Sequence, residues 1–329
     1  MKHLGFVTCK DLSRYFPSKK NPLFTHDDQI AVDYLTEKGF LVSPIIWGTS
    51  IEKILEDNYD LIIIRSPWDY MSSAENRTAF MAWLKELSLA KVPVQNPIEI
   101  IRWNIDKHYL QDLSQVGVPT VPTKFIYPKE KICVLKKFEE LGPIVLKPSI
   151  SAAAHDTYLI QDAPTAAEFN EYFHKIRNTR CFLLQTFLPS VLDPGEWSLI
   201  FINHEYSHSI LKKPQPGDWL VQDELGGSVH WKQANSNIVD IAKAAFRNIV
   251  PAYKKKNKYH SNYLSILYGR VDIIESRKGP LISEIELIEP ELFFLDRRHK
   301  SPKPYLRSLD LFCQGITHLI ANKPLLTTL

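Results

Sequence analysis

Cysteine is sparse in this chain and never paired in sequence: Cys9, Cys133, Cys181 and Cys313 lie far apart and form no CxxC motif. Such spacing indicates neither a zinc site nor a disulfide framework, so the thiols are expected to be reduced. No apolar run is longer than a strand, far below a membrane span, and Met1–Lys10 lacks the long apolar core of an export signal. A cytoplasmic protein with no membrane partner is the expectation. Charge of one sign is lacking too, since 40 Lys and Arg oppose 37 Asp and Glu for a net charge of +3. The excess concentrates only at Lys254-Lys-Lys-Asn-Lys258, which reads as the solvated end of a helix, so no nucleic-acid partner is expected. There is no Walker A motif, no Ser/His/Asp or Cys/His arrangement, no internal repeat and no low-complexity segment.

What is present is an ordinary globular composition, 44% hydrophobic and 23% charged over 329 residues, enough for two or three subdomains. Short apolar runs at Leu4–Cys9, Phe40–Trp47, Tyr59–Ile64 and Val92–Gln95 alternate with helical patterns at about Asp27–Lys38 and Ala74–Leu87. That alternation is the signature of an open α/β sheet, whose strand ends, such as Arg65-Ser-Pro-Trp-Asp-Tyr70, are where ligands bind. Asn96-Pro97 reads as a break, followed by a helix from about Asp106 to Val116. A second α/β block holds strands at Lys124–Tyr127, Pro143–Pro148, Thr157–Gln161 and Cys181–Leu188, with helices near Glu130–Leu141 and Pro164–Ile176. A third block has strands at Trp197–Ile202 and Tyr206–Leu211, one helix near Ile238–Tyr253, and a last helix near Leu306–Leu319.

The richest stretch runs from Tyr268 to Pro290. Two alternating runs flank Ser276-Arg-Lys-Gly279, which marks a β-hairpin. Centred near Lys278, the hairpin sets Asp272 opposite Glu284 and Arg270 opposite Glu286, so these four share one face. Val271, Ile273, Ile285 and Leu287 form the other. Three carboxylates around one arginine repel one another, and hard cations relieve that repulsion, magnesium being the natural candidate. An amphipathic hairpin with a solvated charged face fits the same pattern.

Five further features precede the hairpin: Asn104-Ile-Asp-Lys107 opening a helix, Ile144-Val-Leu-Lys-Pro148 on a strand, Leu184-Gln-Thr-Phe-Leu188, Gly195-Glu-Trp-Ser-Leu199, and Leu211-Lys-Lys-Pro214 with Gly226-Gly227. In this order, from about Asn96 to Leu295, the chain resembles the ATP-grasp ligases, with the likeness strongest to the cyclo-ligase subgroup of cycloserine biosynthesis. It is similar in looser form to bacterial glutathione synthetase and D-alanine:D-alanine ligase. The fold this implies is α/β, built of α+β subdomains: an N-terminal Rossmann-like pre-ATP-grasp domain (1–95), an ATP-grasp middle or lid subdomain (96–188), and a C-terminal subdomain with the metal-binding hairpin (189–329).

The resemblance also implies roles. Lys107 and Lys147 occupy the positions that reach the nucleotide phosphates, where a compact ammonium serves as a point charge. Gln185, Phe187 and Leu188 match the hinge that reads adenine, and Glu196 an acidic position that contacts ribose or a basic neighbour. Ser151 and Lys212 fall on the nucleotide side. Asp272, Glu284 and Glu286 match the metal ligands, implying ATP with two magnesium ions, or manganese in their place. Arg270 matches the catalytic arginine that stabilises the transferring phosphoryl group and the tetrahedral intermediate. Substrate contacts are implied at Gly226, Gly227 and Glu289; Arg65, Trp68 and Tyr70, at their strand end, are expected to face the cleft and either grip substrate or pack at the domain interface.

Two departures from the family pattern stand out. The second lysine is followed by Ser149-Ile-Ser-Ala-Ala-Ala-His155 rather than a glycine-rich loop, so closure of this segment over phosphates is left open. Glu286 stands where many relatives have Asn, which makes the site more dependent on metal. The implied activity is ATP- and magnesium-dependent amide formation through an acylphosphate, joining small-molecule carboxylate and amine substrates or closing a ring within one molecule. The alternatives are a nucleotide-binding module without chemistry, serving regulation, and a phosphotransferase acting on a hydroxyl. The oligomeric state stays open, a homodimer among the options.

Overall fold

Leu61–Ser66 is buried along its whole length, as a near-continuous apolar strand must be when helices cover both faces of its sheet. The structure, a computed structural model, describes residues 1–13, 17–151, 154–176, 179–221, 226–258, 264–296 and 303–322. Its N-terminal part runs β1 (Lys2–Thr8), α1 (His26–Glu37), β2 (Phe40–Ile46), α2 (Ile51–Asp57), β3 (Leu61–Ser66), α3 (Ala74–Leu89) and β4 (Val94–Gln95). The strands make a parallel sheet of order β2-β1-β3-β4. Side-chain caps start the helices: Thr25 Oγ1 accepts from the Asp28 amide at 3.0 Å and Ser73 Oγ from the Asn76 amide at 3.0 Å. The α2 helix is absent from the expected alternation; Ser50 caps it, but its seven residues bury only Ile54 and so give little periodic signal.

Two helices follow, α4 (Ile98–Asn104) and α5 (Tyr109–Ser114). The middle part is β5 (Thr123–Ile126), α6 (Val134–Leu141), β6 (Ile144–Pro148), β7 (Tyr158–Ile160), α7 (Ala163–Ile176) and β8 (Phe182–Thr186), an antiparallel sheet of order β5-β8-β6-β7 packed on its two helices through Ile144, Leu146, Phe173 and Phe182. The last part is β9 (Glu196–Ile202), β10 (Glu205–Lys213), β11 (Ser228–Trp231), α8 (Ser236–Arg247), α9 (Ile249–Asn257), β12 (Tyr268–Ser276), β13 (Gly279–Glu286), β14 (Leu295–Asp296), β15 (Lys303–Pro304) and α10 (Leu306–Ala321). Its main sheet has the order β11-β10-β9-β12-β13.

Three differences from the sequence expectations have physical causes. The helix expected over Ile238–Tyr253 is two, because Asn248 ends α8 and Pro251 stands in the first turn of α9, where its missing N–H costs nothing. Asn104-Ile-Asp-Lys107 does not open a helix: Asn104 closes α4, and Lys107 sits in the turn before α5. The helices α4 and α5, expected within the 96–188 subdomain, pack on the C-terminal core, where Ile100, Tyr109, Leu110 and Leu113 join Trp197, Phe201, Ile249 and Ile285.

That placement has a purpose for the hairpin. β13 is the outer strand of its sheet, and its unpaired backbone groups need partners. Asn104 Nδ2 donates to the Ile285 carbonyl at 2.8 Å while its Oδ1 accepts from the Leu287 amide at 2.9 Å. Tyr109 Oη accepts from the Ile285 amide at 3.0 Å, and Ile282 pairs with Pro119 and Val121 through its amide and carbonyl. Asn96 does the same one step away, bonding the backbone of Leu267, Tyr268 and Leu287. The α10 helix packs between the first and last sheets, Phe312 touching Phe6 on one side and Tyr268 on the other. Among the described residues no helix is long and apolar enough to cross a membrane.

Candidate active site

The hairpin β12–β13 is the floor of a cleft of about 340 Å³ between the middle and C-terminal sheets. Asp272 pairs with Glu284, Val271 with Ile285 and Arg270 with Glu286, the register expected from the sequence. It is reached by another route. The turn is the two-residue Arg277-Lys278, closed by Ser276 opposite Gly279, and one irregularity at Asp272/Ile273 leaves Ser283 as the extra residue. Ser283 and Glu284 therefore both face the cleft, while Ile282 and Ile285 on either side enter the core. Val271, Ile273, Ile285 and Leu287 are all buried.

On this floor charges alternate. Arg270 holds Asp272 with Nε at 3.0 Å from Oδ1 and Nη2 at 3.0 Å from Oδ2, and also donates to Glu286 Oε1. Burial raises a carboxyl, but Arg270 and Lys212 outweigh it at Asp272, which is held at about 2. The neighbouring β9 and β10 supply the rest: Ser198 Oγ donates to Asp272 Oδ1 at 2.5 Å, Glu196 takes Ser283 Oγ at 2.8 Å, and Lys212 bridges Glu196 at 2.9 Å and Asp272 at 3.6 Å. Glu196 thus has the basic neighbour that was one of its two expected contacts.

The two lysines singled out in the sequence come from opposite walls. Lys107 is fixed by its amide to the Ser149 carbonyl at 2.8 Å, and its Nζ reaches the Ser151 carbonyl at 2.7 Å and Glu284 Oε1 at 3.2 Å. Burial alone would raise Glu284, yet Lys107 and Lys147 keep it below the usual carboxylate range. Lys147 projects from β6 into the cleft and makes no hydrogen bond or ion pair among the described residues. Burial lowers its ammonium. Of the loop after it, Ser149–Ser151 and Ala154–His155 are described, and residues 152–153 lie outside the described set.

Gln185, Phe187 and Leu188 line the far end, with Val145, Ile274 and Trp219 around them. Gln185 is pinned by Nε2 to Thr123 Oγ1 at 2.8 Å, and Ser190 Oγ donates to the Glu275 carbonyl, tying the chain after β8 to β12. Along β12 the order is then fixed: Ile274 beside Phe187 and Leu188, Asp272 among the lysines, Arg270 beyond, spanning about 13 Å at the usual strand rise. At the other end Glu289 faces the N-terminal part, its carbonyl taking Trp68 Nε1 at 3.0 Å and its carboxyl taking Tyr70 Oη at 2.8 Å. Burial, with Glu286 nearby, pushes Glu289 up to about 8, and burial pushes Glu286 up to about 7 against the pull of Arg270.

Three expected substrate residues are not brought here. Arg65 is buried behind the cleft, paired to Asp28 at 2.8 Å and donating to the Pro290 carbonyl at 3.3 Å over the Tyr268 ring. A guanidinium at a strand end serves here to join parts of the chain. Gly226 and Gly227 do not line the cavity either.

The N-terminal residues 4–96 match the family described as the N-terminal domain of D-cycloserine synthetase DcsG. By sequence the chain is 28% identical over 241 residues, 71% of this chain and 77% of the relative, to the cycloserine biosynthesis protein DcsG of Streptomyces lavendulae. By structure it is similar to crystalline D-cycloserine synthetase DcsG, with TM-score 0.71 and 23% identity over 97% of this chain and 99% of the other. It is also similar to the ATP-grasp ligase PsnB complexed with minimal precursor, Mg and ADP, with TM-score 0.59 and 14% identity over 97% and 98% of the two chains. The chain has the ATP-grasp fold.

Within this ATP-grasp cleft the fit to metal can be judged from the donors themselves. No three His, Cys, Asp or Glu side chains among the described residues converge as a ready cage. Asp272, Glu284 and Glu286 instead stand side by side, each touching a cation. Magnesium seldom uses all-protein cages; it takes one or two carboxylates and completes its shell with phosphates and water, so this row of hard oxygens suits it. Ser198 and Ser283 are site residues that sequence reading missed. Ser198 could be found only by knowing that β9 lies beside β12, and Ser283 only by knowing of the bulge.

Proposed function

We propose that this protein is an ATP- and magnesium-dependent ligase that activates a carboxylate as an acylphosphate and closes a C–N bond on a small amino-acid-like substrate. The observation that carries the reading is the ordered strip along β12, apolar at Ile274, anionic at Asp272 and cationic at Arg270, with Lys147, unpaired among the described residues, above it. In this reading adenine rests against Phe187, Leu188 and Ile274, and the phosphates run past Lys147 and Lys107. Asp272, Glu284 and Glu286 would hold two magnesium ions, or manganese in their place, which would supply charge neutralisation for the phosphates.

Arg270 presents its guanidinium where the substrate carboxylate oxygen bonds to γ-phosphorus and the bond to ADP breaks. It then faces the oxyanion that forms as the amine adds to the acyl carbon, before phosphate leaves with the bonding pair and the nitrogen loses its proton. A fixed donor to such an oxyanion is worth about 2.7–4 kcal/mol. Lys107 and Lys147 hold the phosphates in line, so the chain contributes mainly position and charge. The parts 1–95, 96–188 and 189–329 serve as substrate wall, lid and nucleotide floor, with α4 and α5 bracing the floor, in a cytoplasmic enzyme.

The test is a screen of amino acids and ureido or amino-oxy analogues for magnesium-dependent release of ADP and phosphate, read with product mass. Loss of one water from a single substrate identifies cyclisation. ADP release with a stable phosphorylated product, or no substrate-dependent release from the whole panel, would count against the ligase.

A further inference from the structure

Phe293 is a non-glycine residue held at φ +50°, in the left-handed region that costs a bulky side chain energy unless its surroundings enforce it. The enforcing group is visible. The amides on either side of it, Leu292 N and Phe294 N, both donate to one carboxylate, Asp27, at 3.1 Å to Oδ2 and 2.5 Å to Oδ1. Asp27 lies in the first turn of α1, on the N-terminal part, 265 residues away from Leu292 in sequence. Leu292, Phe293 and Phe294 are all buried in the core under the first sheet, and Phe293 also lines the cleft. The same segment carries Glu289 and is fastened at its other end by Trp68, Tyr70 and Arg65.

We propose that Asp27 is a positioning residue for the substrate end of the cleft: its two hydrogen bonds set the left-handed turn at Phe293 and so fix the wall that Phe293 and Glu289 present to the carboxylate substrate. The chemistry requires an acid at this position. Two N–H donors converge on one side chain, and a carboxylate accepts on both oxygens, whereas an amide accepts on one and offers N–H groups on the other side. This inference rests on the ligase reading for its kinetic consequence and is independent of it for its structural one.

The test compares wild type, Asp27→Asn, Phe293→Gly and the double variant by hydrogen exchange with mass spectrometry and by steady-state kinetics. Asp27→Asn is expected to speed exchange of the Leu292 and Phe294 amides at least tenfold while β6 and β8 exchange as before. It is expected to raise KM for the carboxylate substrate at least tenfold and to leave KM for ATP within twofold. In the Phe293→Gly background, where glycine takes the left-handed conformation freely, Asp27→Asn is expected to add less than twofold to KM. Unchanged exchange at Leu292 and Phe294 overturns the proposal, as does an equal rise in both KM values. Should Asp27→Asn not fold, Asp27→Glu, which keeps the charge and shifts it by one methylene, is held to the same two readouts. If the chain turns over no substrate, the ligase reading fails, and the exchange result decides the positioning of the turn by itself.

Discussion

Asp272 stands directly across the β12–β13 ladder from Glu284 because Ser283 is bulged out of register. Had the two-residue turn continued without the bulge, Asp272 would oppose Ser283, and Glu284 would oppose the core residue Val271, on the buried face. The bulge therefore joins a tight turn to a floor of paired carboxylates. It also delivers Ser283 to Glu196, which in turn orients Lys212.

Removing one charge from this floor is expected to disable it. Asp272→Asn leaves Arg270 and Lys212 without their shared carboxylate, and we expect kcat/KM for phosphate release to fall at least about 100-fold, roughly the 2.7 kcal/mol that one such electrostatic group supplies. Calorimetric titration with magnesium and ATP checks the binding part. Full turnover in this variant would overturn the metal role proposed for Asp272.

Lys147 should behave in the opposite way in the free protein. Its ammonium is disfavoured by burial and unpaired among the described residues, so Lys147→Met is expected to leave the thermal midpoint of the free protein unchanged or raise it. The same variant should bind ATP about 10- to 150-fold more weakly, the value of a charge-assisted hydrogen bond of about 1.5–3 kcal/mol. A lysine that merely braced the sheet would instead lower the midpoint and spare affinity.

Glu289 gives a pH signature. Its carboxyl is pushed from the ordinary 4.5 up to about 8, so the folded state favours the protonated form. The unfolded chain loses that proton near 4.5, and the folded chain keeps it until about 8. Stability therefore falls as pH rises through this window and levels off above it. Glu289→Gln does not titrate, so its midpoint is expected to drop less than that of wild type between pH 5 and 9. Parallel curves in scanning calorimetry would show that Glu289 is not held protonated.

Gly195 is expected to tolerate no side chain. Its φ is +123°, and a Cβ there would lie 2.3 Å from the Lys212 carbonyl oxygen, a backbone atom. Gly195→Ala should cost at least about 1–3 kcal/mol from the backbone conformation alone. It should also displace the Glu196–Lys212 pair, so denaturant midpoint and ATP affinity are expected to fall together.

Much of this was legible in the chain itself where the signal is local. The hairpin's two faces follow from period-two alternation, which a strand imposes wherever it lies, whereas Gln185–Leu188 and Lys147 stood out only through the resemblance to the ATP-grasp ligases. The short helices were harder. α2 and α4 are each seven residues long, too brief for a 3.6-residue period to stand out, and the break at Asn248 is masked by the continuous helical pattern around it.

The sequence alone determined which residues of one strand share a face, because backbone geometry fixes that over two or three neighbours: Arg270 goes with Asp272 and Glu284 with Glu286, Val271 with Ile273 and Ile285 with Leu287; the bulge at Ser283 then brought the two charged sets together. The tertiary structure decided which faces meet. Lys107 reaches Glu284, while Arg65 turns away to Asp28 and Asp27 crosses to the amides around Phe293. These pairings join residues 37 to 267 positions apart in the chain, and they exist only because packing of α10, α4 and the sheets brings buried polar groups to the partners they need.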